Sequence, residues 1–184
     1  MGGIWQIQHQ VEAKELKSNF FQFIFGSNED KLKVELGVKW IFKNQYLILT
    51  IREEGLNETH SKFKELNLWV QVSNLPLNWL CTNVSLKIGN VFEHTRNISV
   101  IKTGEGGGQR GSFLRILVVV DVSEPLPRFA SMKLNNTQVL ARFQYVKLLN
   151  ICFYCEIIDY LERSCKKKEE DMSNGVSNEG QYEE

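Results

Sequence analysis

The chain has 184 residues and a hydrophobic content of 42%, enough for one ordinary domain with a buried core and a small appendage. It carries 22 basic and 22 acidic side chains, and its apolar runs are too short to span a bilayer. Its four cysteines without a secretory signal argue against a disulfide framework. We therefore expect a nuclear or cytoplasmic protein without membrane contacts.

The charges are unevenly distributed along the chain. Residues 96–168 carry twelve basic and six acidic side chains, whereas residues 169–184 carry six acidic side chains and no basic one. A basic block of this kind is what a phosphate-binding surface requires. A mixed, solvated surface explains the same excess equally well.

The first part of the chain predicts an irregular N-terminus at residues 1–18, followed by a β-α-β unit within residues 19–66. Apolar and aromatic runs indicate the strands, and small polar residues mark the start of the helix. The predicted elements are a strand at Phe20–Phe25, a helix that starts after Ser27 or Asn28 and ends near Gly37, and a strand at Tyr46–Ile51.

Residues 67–149 predict a mostly antiparallel α+β sheet domain. Leu68, Val70 and Val72 alternate with Trp69 and Gln71, which is the period of a strand with one buried face. The glycines of residues 104–111 lack the strand-before, helix-after setting of a nucleotide-binding loop. The other predicted elements are a helix over about Asn78–Ile88, strands at Ile98–Ile101 and Phe113–Val122, and a C-terminal hairpin formed by Arg128–Leu134 and Gln138–Leu148.

Three of the four cysteines lie in one short stretch, residues 150–166. Their spacing is Cys152-x2-Cys155-x4-Tyr160-x4-Cys165, which would be that of a zinc knuckle if Tyr160 were histidine. Thiolates are good zinc ligands, whereas a phenol with a pKa of about 10 is a poor fourth ligand. We expect zinc at low occupancy or no zinc. The alternative is that these cysteines are ordinary buried thiols.

Two further departures from a knuckle stand at Glu156 and Asp159, where glycine is usual because it adopts positive φ readily. All three changes, Gly→Glu, Gly→Asp and His→Tyr, are single nucleotide transitions. This pattern favours a decayed copy of a repeated element, and the alternative is a site that was built this way. The charged tail, residues 167–184, is predicted to be disordered.

The order of motifs resembles that of a known family. The stretch Trp69-Val-Gln-Val-x-x-Leu-Pro-Leu, then Leu114-Arg-Ile, then Phe143-Gln-Tyr-Val-Lys-Leu-Leu-Asn before the Cys-x2-Cys is similar to plant retroelement-derived proteins. In these, an RRM-like, gag-like domain of unknown function precedes a CCHC zinc knuckle. The resemblance covers about Phe20 to Cys165. It implies a front-truncated, non-catalytic product of a non-LTR retrotransposon that binds RNA or single-stranded DNA.

Candidate nucleic-acid contacts lie on two strands and around the cysteines. If their strands are neighbours, Trp69, Phe113 and Arg115 can share an exposed face and stack on bases. The alternative is that Trp69 is buried under a neighbouring hairpin. Phosphate contacts are expected from the basic side chains Arg142, Lys147, Arg163, Lys166, Lys167 and Lys168.

Two other classes of function compete with nucleic-acid binding. One is a protein-interaction module that has lost both zinc and nucleic-acid binding. The other is an enzyme, which the sequence argues against because His9, His60 and His94 are scattered and Cys81 is a lone thiol. We therefore expect no catalysis and no small-molecule substrate, and the sequence leaves the oligomeric state open.

Overall fold

The computed structural model describes residues 2–57, 59–92, 94–101, 113–134, 136–158 and 161–175. The chain forms two compact units, Met1–Glu65 and Leu66–Glu184. Both contain helices and antiparallel strand pairs, so the predicted α+β class is confirmed. The glycine-rich residues 104–111 lie outside the described residues. None of the described helices is long and apolar enough to cross a bilayer.

The first unit has the predicted strand at Phe20–Phe25 and the predicted helix, but the predicted strand Tyr46–Ile51 is only Gln45–Leu47, and it pairs with an additional short strand, Trp40–Phe42. The strands on the two sides of the helix belong to different sheets. Strand β1 pairs with β2, and β3 pairs with β4, each pair antiparallel. Lys43 and Asn44 adopt φ values of 49° and 62°, which suits the tight turn that folds β4 back onto β3. The elements are α1 (Gly2–Trp5), β1 (Val11–Lys17), β2 (Phe20–Phe25), α2 (Asn28–Glu35), β3 (Trp40–Phe42) and β4 (Gln45–Leu47).

The start of α2 follows its sequence signal. Ser27 is the N-cap, and its side-chain oxygen accepts a hydrogen bond of 3.2 Å from the backbone N–H of Glu29. Glu29 and Asp30 lie in the first turn, where acidic groups favour the positive end of the helix dipole.

The N-terminal residues are ordered, contrary to the prediction of an irregular segment at 1–18. Strand β1 pairs along β2, and Trp5 is buried. The Trp5 ring contacts Phe23 edge-on with the ring centroids 5.0 Å apart, and the Trp40 centroid lies 6.4 Å away. The sequence does not predict this strand because all of its side chains but Val11 are exposed, so its residues show no alternation of apolar and polar side chains.

The second unit is built on a five-stranded sheet in the order β6-β7-β5-β9-β8. The predicted alternation is confirmed, since Leu68, Val70 and Val72 are fully buried. Helix α3 packs against β6 and β7, and Val84 and Ile88 are its buried apolar residues. The elements are β5 (Glu65–Ser73), α3 (Thr82–Gly89), β6 (His94–Ile101), β7 (Phe113–Asp121), β8 (Phe129–Leu134) and β9 (Thr137–Tyr145).

The helix predicted over 78–88 starts later than expected. A separate 3-10 turn occupies Leu77–Trp79, and α3 begins after Cys81. The chain breaks between the two because Trp79 is buried and its carbonyl accepts a hydrogen bond of 2.8 Å from the N–H of Cys81. Trp79 therefore belongs to the core rather than to the helix.

The charged segment after the cysteines also differs from its prediction of disorder. Residues Lys166–Ser173 form a helix, α4. Its N-cap is Cys165, and the Tyr154 hydroxyl donates a hydrogen bond of 2.7 Å to the carboxylate of Asp171 within it. Composition alone predicted disorder because these tertiary anchors leave no trace in the local sequence. Residues 176–184 lie outside the described residues.

Candidate metal centre and adjoining basic helix

The chain folds back sharply at Cys152 and Cys155. Ile151 and Ile158 form an antiparallel bridge, and the N–H of Cys152 donates a hydrogen bond of 3.0 Å to the carbonyl of Ile157. The N–H of Glu156 donates one of 2.7 Å back to the carbonyl of Cys152. This small hairpin places Cys152 and Cys155 on the same side of the turn, where Cys165 joins them from the start of α4.

The three sulfurs converge. The Sγ atoms of Cys152, Cys155 and Cys165 all lie within 4.8 Å of one another, and all three side chains are buried as free thiols. With Zn–S bonds of about 2.3 Å, a tetrahedral zinc would hold its sulfurs about 3.8 Å apart. The cluster therefore has the size and the donor chemistry to hold a metal ion.

Backbone groups around the cluster separate the acidities of the thiols. Burial alone would raise the pKa of Cys152, but the N–H groups of Cys155 and Tyr154 donate to its sulfur, and its pKa is lowered. Burial and the neighbouring Cys152 sulfur instead raise the pKa of Cys155 to about 11. The thiolate of Cys152 is thus favoured over that of Cys155, and a bound cation would lower the pKa of Cys155.

Within the described residues, no fourth histidine, cysteine or carboxylate oxygen joins this group. Tyr160, which the sequence places at the position of the missing histidine, lies outside the described residues, as does Asp159. His9 and His60 belong to the first unit and take part in other contacts: His9 pairs with Asp30, and His60 accepts from the N–H of Lys62.

Glu156 occupies a backbone position that suits glycine. Its φ is +63°, in the left-handed region, where a side chain carries a steric penalty. Its carboxylate lies 3.5 Å from the Nε of Arg128, and its carbonyl accepts a hydrogen bond from the N–H of Leu126. The hairpin therefore keeps the geometry of a tight glycine turn although glycine is absent, and the Arg128 ion pair partly offsets that penalty.

The cysteine cluster is continuous with the basic helix. The Cys165 sulfur caps α4 by accepting a hydrogen bond of 3.4 Å from the N–H of Lys168. Lys166, Lys167 and Lys168 fill the first turn, where positive charge opposes the helix dipole. Lys168 is paired with Glu162 at 2.6 Å, and Lys167 is exposed. A negative charge on the capping sulfur would favour this otherwise unfavourable arrangement.

The predicted phosphate contacts fall into separate parts of the second unit. Arg163 and Lys166–Lys168 flank Cys165 in sequence, within or next to α4. Arg142 is exposed in the middle of β9, and Lys147 follows the end of that strand. The basic residues thus divide between the sheet and the segment that carries the candidate metal site, residues 151–165 with the adjoining α4. We call residues 151–165 the metal loop.

The predicted stacking residues are side by side on neighbouring strands. Trp69 lies on β5 and Arg115 on β7, with the guanidinium carbon 4.8 Å from the centre of the Trp69 ring. Phe113 lies on the same face of β7, two residues before Arg115, and all three are half-buried. The Arg115 guanidinium thus covers one face of the Trp69 ring. Arg115, which the sequence suggested as a second base-stacking residue, therefore packs on Trp69 itself.

Sequence reasoning missed the exposed apolar residues of the other sheet edge. Phe129 on β8 and Leu140 on β9 are 50% and 53% exposed. The alternation of these strands was the available signal, since Phe129, Ser131 and Lys133 must share one face. The strands were predicted, but their outward residues were not considered.

Comparisons with known proteins give little beyond this geometry. No protein-family model matches the chain. The chain is similar to Uncharacterized protein At4g02000 of Arabidopsis thaliana, with 23% identity over 150 residues. The match covers 81% of this chain but 46% of that protein, so the chain spans about half the length of this relative. No solved structure matches.

Proposed function

We propose that this protein is a non-catalytic, gag-like binder of RNA or single-stranded DNA, derived from a plant non-LTR retrotransposon, with a zinc ion at its cysteine cluster. One observation carries the proposal: three buried sulfurs within 4.8 Å of one another lead directly into a helix whose first turn holds three lysines. A metal-stabilised loop beside a positive surface is a recurring way to bind single strands.

The ion proposed is zinc, held by Cys152, Cys155 and Cys165, with Tyr160 or water in the fourth position. Thiolate ligands favour zinc among the common divalent ions. Three good ligands bind less tightly than four, so we expect substoichiometric zinc in the purified protein. Replacing Tyr160→His together with Glu156→Gly and Asp159→Gly should raise the zinc content to one equivalent, measured by atomic emission. Unchanged content would show that the cysteine spacing is not that of a knuckle.

The experiment that tests the function is fluorescence anisotropy with a labelled oligouridine of about 15 nucleotides, a length that one binding module can cover. Affinity should fall steeply between about 50 and about 200 mM salt because phosphate contacts release counterions. Cys155→Ser should weaken binding, and the exposed Cys81→Ser should not, since Cys81 is outside the cluster. Absence of binding by the zinc-loaded protein at low salt would refute the proposal.

A protein-interaction module is the second candidate, and the Trp69–Arg115 contact favours it. An aromatic ring already covered by a guanidinium at 4.8 Å has lost one stacking surface. If the protein is an interaction module, no salt-dependent nucleic-acid binding is expected at any zinc level. In either case we place the protein in the nucleus or the cytoplasm, in a binding role that needs no membrane and no small-molecule substrate.

A further inference from the structure

One face of the sheet edge formed by β8 and β9 carries exposed residues, of which the sequence analysis had assigned a role only to Arg142. In an antiparallel pair, residues directly opposite each other point to the same side. Phe129 lies opposite Arg142, Ser131 opposite Leu140, and Lys133 opposite Gln138. We call this surface the β8–β9 face; its members are Phe129, Ser131, Lys133, Gln138, Leu140, Arg142 and Gln144.

The two sides of β9 differ sharply in burial. On the core side, Ala141 and Phe143 are 0% and 4% exposed, whereas on the β8–β9 face Leu140 is 53% exposed. Phe129 is 50% exposed beside it, on the edge strand of the sheet. The fold does not bury these two apolar side chains in its core, so they are available to a partner outside the chain.

The charges of the face have one sign. Lys133 and Arg142 are both exposed, and none of the seven members is acidic. Gln144 adds an exposed amide that can donate and accept hydrogen bonds. Arg142 stands directly across from the Phe129 ring, and Lys133 lies four residues further along β8, about 13 Å away. Cations around an exposed aromatic ring form the pattern that binds a stacked base between phosphates.

We propose that the β8–β9 face binds single-stranded nucleic acid, with a base stacked on Phe129 and phosphates at Arg142 and Lys133. The inference rests on the proposed function and assigns it the β8–β9 part of the sheet face that carries Trp69, Phe113 and Arg115 on β5 and β7, since Gln144 lies opposite Gln71. The ring of Phe129 is open, whereas the ring of Trp69 is covered by Arg115. The nucleic acid therefore binds at the β8 edge of the sheet rather than over β5 and β7.

The charges favour this occupant over a second copy of the chain. Joining two molecules edge to edge through β8 would bring together two faces that each carry Lys133 and Arg142 and no acidic group. Like charges side by side oppose such pairing, whereas a polyanion neutralises them.

The test uses the full-length, zinc-loaded protein and the same labelled oligouridine. Phe129→Ala should raise the dissociation constant roughly 5- to 100-fold, the range for loss of one stacked base. Phe129→Tyr keeps the ring and should retain the affinity. Arg142→Gln should reduce the slope of log K against log salt by about 0.7, the value for one lost phosphate contact on a single strand.

Matched controls come from α3, where Leu86 is 52% exposed and Lys87 is exposed next to it. Leu86→Ala and Lys87→Gln should leave the affinity and the salt slope unchanged. Thermal unfolding followed by circular dichroism checks that Phe129→Ala is folded, and Arg142→Gln, a surface change, tests the face independently.

Failure of the inference differs from failure of the proposed function. If the unmodified protein binds, Cys155→Ser weakens it, and both Phe129→Ala and Arg142→Gln behave like the α3 controls, the β8–β9 face is not the binding surface. If no binding occurs at low salt, the proposed function itself is refuted. If Phe129→Ala instead dissociates a dimer in sedimentation without changing RNA affinity, the occupant is a second copy and the proposal is overturned.

Discussion

Two regions of this chain are held together by different means. The first unit packs Trp5 against Phe23, Phe25 and Trp40, so its core consists of large rings that exclude water. The metal loop and α4 instead have a core of three buried cysteines, with Tyr154 and Ile157 packed against them. Ring burial stabilises a fold whether or not a metal is present, whereas a small sulfur core depends on what the sulfurs bind. The comparison predicts that the two regions respond to different perturbations.

Removal of zinc from the zinc-loaded protein should have the largest effect, and the effect should be confined to the metal loop and α4. An eight-residue helix with lysines in its first turn is unstable by itself, and α4 relies on the Cys165 cap and the Tyr154–Asp171 bond. Structural zinc supplies about 10–16 kcal/mol in small finger peptides, so even a weak site can dominate here. After chelation, α4 amides should exchange fast by hydrogen exchange with mass spectrometry, and β1–β2 amides should stay protected.

Substitution of Cys165, a candidate metal ligand, separates the two roles proposed for its sulfur. Serine is a good N-cap, so Cys165→Ser keeps a cap for α4 but removes a thiolate ligand. If the metal holds the helix, Cys165→Ser should expose α4 to exchange as chelation does. Equal protection of α4 with and without zinc, or in this variant, would mean that capping alone holds the helix.

Trp5→Ala is the converse test and the next largest effect. Truncating a fully buried aromatic residue costs about 3–5 kcal/mol, and this loss should appear in urea unfolding of the first unit. Zinc content and the protection of α4 should not change. Leu36→Ala is the control, because Leu36 is 81% exposed at the end of α2 and its truncation should shift stability by no more than about 0.5 kcal/mol. Loss of zinc in Trp5→Ala would break the comparison.

What the sequence predicted follows from how locally each feature is encoded. The buried face of β5 was readable because Leu68, Val70 and Val72 repeat with the period of the strand. The cysteine cluster was readable because its three members lie within residues 152–165 at a recognisable spacing. Strand β1 was not readable, since Glu12, Lys14 and their neighbours are exposed and only cross-strand bonds with β2 define it.

The site shows the same division. The convergence of three cysteines was predictable, but the contact between Trp69 and Arg115 depends on which strands are neighbours, and the order β7-β5 cannot be read from either strand alone. Helix α4 was missed because its cap is a cysteine sulfur and one anchor, Tyr154, lies seventeen residues before its partner Asp171. Features that depend on contacts between residues distant in sequence cannot be predicted from local composition.

Glu156 offers a smaller test inside the metal loop. A side chain in the left-handed region costs about 1 kcal/mol relative to glycine. Glu156→Gly and Glu156→Gln both lose the ion pair with Arg128, so their difference isolates the backbone. Glu156→Gly should be the more stable of the two by about 1 kcal/mol in urea unfolding monitored at the metal loop. A less stable glycine variant would show that the turn does not need the positive φ.

The smallest effect concerns the charge of α4 and has opposite signs for stability and binding. Lys167 is exposed in the first turn, so Lys167→Glu should stabilise the helix by about 0.3–1 kcal/mol through the dipole while weakening RNA binding. Lys87→Glu is the matched control, because Lys87 is exposed in the last turn of α3, another eight-residue helix. There the same change should destabilise its helix and leave RNA affinity unaltered. Hydrogen exchange and anisotropy measure the two effects, and equal changes in RNA affinity for both variants would reduce the role of α4 to bulk charge.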